Sequence, residues 1–216
     1  MGPMSEANDG QWRWDAEYWD ELYRSTDAVW SGRPNRVLVQ ETAGLEPGRA
    51  LDVGAGEGAD AVWLARQGWK VTAADVSQVA LGRAAEHAAA AGVPAGAIEW
   101  WRADLLETAP SAATYDLVSA FFFHLEPGPR AKVLSRLADA VAPGGTLLIV
   151  GHHPSHAERV GHDHAPAELF FTAEEAAAGL DPAEWEVVTA EERTRPAPAD
   201  GDDHLDTDVV LRARRR

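Results

Sequence analysis

A chain of 216 residues, 45% of them hydrophobic, is long enough for one domain with its own core, so a single site is sought. Its 35 acidic against 19 basic residues give a formal charge of −16, which argues against nucleic acid or an anionic membrane as the main partner. The lack of cysteine excludes a disulfide framework, a thiolate nucleophile and a zinc–thiolate site. No apolar run reaches bilayer length, and the start has no basic-then-apolar layout, so a cytoplasmic location is the expectation.

Residues 1–10 are set aside as disordered or vector-derived, and 11–216 are taken as one domain. "WRWDAEYWDELYRS" and "RPNRVLVQETAG" have the composition of helices. "RALDVGAG" (49–56) then forms a first strand entering a glycine turn, left by a helix over 58–68. "WKVTAADVS" is a second strand, 78–91 a helix, "AIEWWRADL" a third strand and "YDLVSAFFFHL" a fourth. "GPRAKVLSRLADAVAPGG" is expected as a helix with a proline-glycine stop, and "TLLIVGHH" as the fifth strand. A histidine-rich loop follows, then a short helix opened by a capping box of Thr172 and Glu175, and two closing strands, "WEVVTAEERTR" and "DTDVVLRARR". The segment "RPAPADGDDHLD" between them reads as a mobile loop. This alternation predicts a single-domain Rossmann-like doubly wound α/β sheet, mostly parallel, with an antiparallel edge hairpin and helices on both faces.

"LDVGAGEGAD" sets Gly54, Gly56 and Gly58 between a strand and a helix, where missing Cβ atoms let a ligand approach the backbone. Asp75 ends the next strand, about 20 residues on, placed to accept from ribose hydroxyls. Two ligand classes fit such a turn. A dinucleotide needs an electropositive cradle for its diphosphate, yet Asp52, Glu57 and Asp60 surround this one. An adenosyl ligand with a sulfonium and an ammonium tolerates them. A nicotinamide-dependent oxidoreductase is therefore the weaker alternative, and a non-catalytic adenosyl-ligand-binding module is another.

The run "ALDVGAGEGADAVWLARQGWKVTAADVS", followed by "WRADL", "YDLVSAFFFHL" and "APGGTLLIVG", resembles the ordered motifs of class I S-adenosylmethionine-dependent methyltransferases over roughly 30–151. The upstream "WDELYRSTDAVWSGRPN" is similar to the lead-in of the small-molecule branch that includes tellurite-resistance and thiopurine methyltransferases. The resemblance implies a division into 11–46 as helices covering the cofactor, 47–151 as the cofactor-binding core, and 152–216 as a substrate-side loop with closing strands. It implies that Gly54, Ala55 and Gly56 pass beneath the methionine part, with Asp52 reaching its ammonium. It assigns the ribose hydroxyls to Asp75, the adenine to Val76 and Leu105, and the exocyclic amine to Asp104. Ala120 stands where the fourth strand meets the transferable methyl, while Trp30 and Arg33 close over the methionine end, Arg33 toward the carboxylate. S-adenosylmethionine is then the methyl donor, S-adenosylhomocysteine the product, and a small molecule the acceptor. Without the resemblance, Trp30 reads as core packing and Arg33 as a solvated helix-start residue.

Ligands of doubly wound sheets sit beyond the carboxyl ends of the strands. His124 ends the fourth strand and His152 and His153 the fifth, so these three are the candidate catalytic residues, as general base or substrate hydrogen bond. Successive strand residues face opposite sides, so at most one of His152 and His153 is expected to aim at the substrate. His156, His162 and His164 are expected to be solvated. No metal ligand is assigned, because neither H-H-x-x-H nor H-x-H comes with a helix to set its geometry. Trp12, Trp14, Trp19, Phe121, Phe122, Phe123, Phe170 and Phe171 suit either an apolar acceptor pocket or the core.

Overall fold

The computed structural model describes residues 15–160, 167–196 and 205–216. Expectations for residues 1–10, Trp12, Trp14, His162, His164 and the middle of the turn-like 195–206 segment concern residues outside that set. The elements run α1 (Ala16–Ser25), α2 (Arg36–Thr42), β1 (Arg49–Val53), α3 (Ala59–Arg66), β2 (Lys70–Asp75), α4 (Gln78–Ala90), β3 (Ile98–Arg102) and β4 (Tyr115–Phe121). They continue with α5 (Pro127–Ala140), β5 (Val141–His152), α6 (Ser155–Val160), a 3-10 turn (Ala167–Leu169), α7 (Ala173–Ala177), β6 (Trp185–Pro196) and β7 (Leu205–Arg215).

The strands form one sheet of order β3-β2-β1-β4-β5-β7-β6. The first five pair in parallel, and β7 runs antiparallel to both β5 and β6, which is the expected edge hairpin. Parallel strands buried on both faces are mostly apolar, and β1, β4 and β5 divide their apolar side chains between the two faces. Leu51, Val53, Val118, Leu147 and Ile149 meet α5 and α7 through Val133, Leu137, Ala173 and Ala176. Ala50, Leu117, Leu148 and Val150 meet α2, α3 and α4 on the other side through Leu38, Leu64 and Ala88. Helices therefore cover both faces. Helix starts are capped as the residue types demand: Asn35 accepts from the Val37 amide (2.8 Å), Ser77 from Ala80 (3.0 Å), and Thr172 with Glu175 forms the capping box.

Three boundaries differ from expectation, each for a local reason. Helix α5 stops at Ala140 instead of running into the proline-glycine segment, because Val141 is fully buried and already pairs with Tyr115. The ladder resumes with Leu117 opposite Thr146, so Ala142 to Gly145 bulge out, where Pro143 lacks an amide hydrogen and Gly144 takes φ +80°. Strand β4 ends at Phe121, since Phe122 adopts a left-handed φ of +51°. The histidine-rich loop contains a helix, α6, that its sequence did not announce.

Candidate functional site

At the carboxyl ends of β1 and β2 the glycine turn is left-handed three times, with φ of +68° at Gly54, +52° at Gly56 and +82° at Gly58. Only glycine adopts this succession without strain. The amides of Gly54 and Ala55 donate to the Ala74 carbonyl (2.9 and 3.0 Å), which ties the turn to β2. Asp75, buried, accepts from the Gly56 amide through one carboxylate oxygen and from the Ser77 amide through the other, both at 2.8 Å. Each oxygen keeps a lone pair for a further donor. Asp52, also buried, has an Oδ2 with no hydrogen-bond partner.

These carboxyls are held toward their neutral forms. Burial first, and the Asp60 and Asp75 charges after it, push Asp52 well above the usual carboxylate range, against hydrogen bonds from the Ala61 amide and the Ser119 hydroxyl. Burial likewise pushes Asp60 up to about 6 and raises Asp75. An unpartnered buried oxygen costs about 1–3 kcal/mol, and a cation seated on it reverses that cost. The donor set therefore fits the ammonium and sulfonium of S-adenosylmethionine and opposes a diphosphate.

The segment from α1 to α2 is fastened over the turn by acids that composition alone could not assign. Buried Glu57 accepts from the Val29 and Trp30 amides through Oε2 (3.1 and 3.0 Å) and pairs with Arg83 through Oε1 (3.0 Å). Arg83 also donates to the Thr26 carbonyl (2.6 Å). Asp60 accepts from the Asn35 amide (2.6 Å), and Asp20 on α1 accepts from the Ser77 hydroxyl (2.6 Å) and the Val79 amide (3.1 Å). The Trp30 indole donates to the Tyr23 hydroxyl (2.8 Å), and a Cβ at Gly56 would lie 3.2 Å from its Nε1, so Trp30 covers the turn although 42% exposed. Arg33 is exposed on the same segment. Beyond β3, Asp104 is exposed and accepts from the Leu106 amide (2.8 Å), Leu105 is buried in the core with Ala74 and Ala103, and the Val76 carbonyl accepts from Arg102 (3.3 Å).

The left-handed Phe122, which costs about 1–2 kcal/mol, redirects the chain where β4 ends. Phe123 then reaches the glycine turn, its ring 3.2 Å from where a Gly54 Cβ would be, and lines a small apolar recess with Ala120, Leu125, Arg130 and Phe171. His124 turns the other way, onto β5. Its ring stacks on His152 (centroids 5.1 Å, planes 12° apart), and His152 stacks on His156 of α6 (4.0 Å, 4°). Phe170 meets all three edge-on, and Phe122 lies 4.5 Å from His152. Nε2 of His124 is buried without a hydrogen-bond partner, and burial, aided by His152, His156 and Arg130, holds its pKa well below the ordinary imidazole value.

The structure thus brings His124 and His152 together and sends His153 elsewhere. His153 faces Glu192 on β6 (3.4 Å) and Ser155 (3.0 Å), the opposite side of the strand. His156, expected to be solvated, is 5% exposed, because α6 folds it back under Phe170. Sequence reasoning also missed Arg130, whose guanidinium donates to the carbonyls of Leu125, Glu168 and Phe170 and lies over the Phe171 ring. A lone arginine after two prolines gives no signal of such a role. Among the described residues no cluster of three or more His, Asp or Glu could hold a metal ion.

Comparison with known proteins agrees with this geometry. Residues 50–145 match the family model described as a methyltransferase domain. An uncharacterized methyltransferase of Mycobacterium tuberculosis is 40% identical over 102 residues, covering 46% of this chain and 48% of that protein. The chain thus spans about half the length of that relative. A protein named probable thiol methyltransferase 2, from Arabidopsis thaliana, is 30% identical over 150 residues, 67% of this chain and 62% of that one. A structure solved in work on the conversion of a disulfide bond into a thioacetal group during echinomycin biosynthesis superposes with a TM-score of 0.74 at 24% identity, over 93% of this chain and 91% of that one. TehB from Haemophilus influenzae superposes at 0.67 and 18% identity, over 93% and 67%. At such identities these two matches speak for the fold. Family model and strand order agree in giving residues 50–145 the character of a methyltransferase domain.

Proposed function

We propose that the chain transfers a methyl group from S-adenosylmethionine to a heteroatom of a small-molecule acceptor by in-line displacement. The observation that carries this reading is the bare, buried Asp52 Oδ2 beneath a turn of three left-handed glycines. In the assignment that follows, Asp52 takes the ammonium, Gly54, Ala55 and Gly56 pass under the methionine part, and Asp75 takes the ribose hydroxyls. Val76 and Leu105 flank the adenine, and Asp104 takes its amine. Trp30 closes the methionine end with Arg33 at the carboxylate, and Ala120 borders the methyl. His124 is the acceptor-side group, with His152 behind it; His153 contributes little.

The acceptor's lone pair forms the new bond to carbon as the carbon–sulfur bond breaks toward sulfur, so the protein supplies proximity, orientation and exclusion of water. A cytoplasmic small-molecule enzyme is the setting this implies: the charge of −16 disfavours nucleic acid, and no described helix is long and apolar enough to cross a membrane. Thermal unfolding with S-adenosylhomocysteine and with NAD tests the reading. Stabilisation by the first alone is expected; stabilisation by NAD alone would return the oxidoreductase alternative. Binding without methyl transfer to any small acceptor would leave a ligand-binding module.

A further inference from the structure

Three buried imidazoles in one stack are more than a methyl transfer requires, and they are unequal. Parallel rings 4.0 and 5.1 Å apart do not hydrogen-bond one another, so each must find partners in its own plane. His156 Nδ1 is hydrogen-bonded to Asp206 Oδ1 at 3.3 Å, whereas His152 Nδ1 stands 3.5 Å from Asp208 Oδ1, a charge contact without a hydrogen bond, and both carboxylates are buried on β7. A carboxylate at Nδ1 fixes the ring's orientation and draws its proton to that side. Among the described residues no carboxylate is paired with His124, whose Nε2 is bare. Among the described residues its basic neighbours are His152 from β5, His156 from α6 and Arg130 from α5, with Asp206 and Asp208 beside the two rear rings.

We propose that His156 and Asp206, with His152 and Asp208, are positioning residues that present His124 as a proton acceptor, so that the methyl acceptor enters as a protic X–H group such as a thiol. This rests on the methyltransferase reading. The X lone pair forms the X–CH3 bond while the sulfonium carbon–sulfur bond breaks toward sulfur, the X proton passes to His124 Nε2, and water receives it after turnover. Charge and atoms balance without a further reactant. The stack behind makes the proton easy to lose again, and the aspartates keep the two rear rings from turning away.

Two readouts test this. Imidazole C–H resonances are titrated with S-adenosylhomocysteine bound, in the wild type, in His156→Gln and in His156→Phe, which keeps the stacked ring. His124 is expected to titrate below the free imidazole range in the wild type and to move up toward it in both variants; an unmoved His124 overturns the positioning role. Initial rates are then compared for 2-mercaptoethanol and for dimethyl sulfide, which has no proton to lose. His124→Gln is expected to slow the thiol by about 100-fold and the thioether by less than about threefold. Equal losses on both overturn the protic-acceptor proposal. Failure of the wild type to bind S-adenosylhomocysteine would instead remove the methyltransferase reading itself, and is seen separately.

Discussion

Around the ends of β1 and β2 the buried ionisable groups are acids, Asp52, Asp60 and Asp75, all pushed up; at the ends of β4 and β5 they are imidazoles, with His124 pushed down. Burial drives the three acids and His124 toward neutrality, and on the function proposed above what restores charge differs. On one side it is a cation brought by the ligand; on the other it is a proton brought by the acceptor. The two regions therefore have opposite pH dependences, and variants can separate them.

The largest expected effect is on stability against pH. Asp60 in the folded chain holds its proton up to about 6, so its contribution is complete below the unfolded value near 4 and is lost as pH rises through 6. The difference of about two units corresponds to roughly 2–3 kcal/mol. His124 behaves oppositely: its folded pKa is depressed, so its contribution is present above the ordinary imidazole value and is lost as pH falls below it. Melting temperatures of Asp60→Asn relative to wild type should therefore improve as pH rises from 4 to 7, and those of His124→Gln should improve as pH falls. Parallel slopes would break the contrast.

Next in size is a crossed pair of functional effects. Asp52→Ala should weaken S-adenosylhomocysteine binding by about 10- to 100-fold, the worth of a hydrogen bond to a charged group. His124→Ala should lower turnover of a protic acceptor by about 100-fold and leave that affinity within about twofold. Calorimetry and initial rates on both variants read the two columns, and equal loss of both in either variant would contradict the division. A smaller effect is expected at Glu57→Gln, which loses the Arg83 pair yet keeps one oxygen to accept from the Val29 and Trp30 amides. Loss of about 1 kcal/mol of stability and a few-fold of cofactor affinity follows. The smallest is His153→Ala, within about twofold in rate, since its ring faces Glu192.

The two halves also differed in how far the sequence revealed them. The glycine-turn half is written locally: a strand, a turn with three glycines and a helix follow one another, Asp75 ends β2, and Asp104 lies two residues beyond β3. The alternation of strands and helices and the closing hairpin followed from the same periodicity. Glu57 and Asp60 were visible only as charges, because their partners Arg83 and Asn35 lie 26 and 25 residues away. The histidine half joins β4, β5, α6 and β7. His156 meets Asp206 across 50 residues, and no spacing rule connects them. Helix α6 hid in a polar, proline-led segment, and the left-handed Phe122 in a run of three phenylalanines is a backbone state that residue type opposes.

The central claim is that the glycine turn and Asp52 form a seat for a cationic adenosyl ligand. Titration calorimetry with S-adenosylhomocysteine near pH 6, in two buffers of different ionisation heat, tests it most directly. Because burial raises Asp52 and a seated ammonium favours its carboxylate, binding is expected to release protons wherever Asp52 still holds one, and Asp52→Asn should both weaken binding and abolish that release. No binding, or binding with the same affinity and proton count in Asp52→Asn, would contradict it.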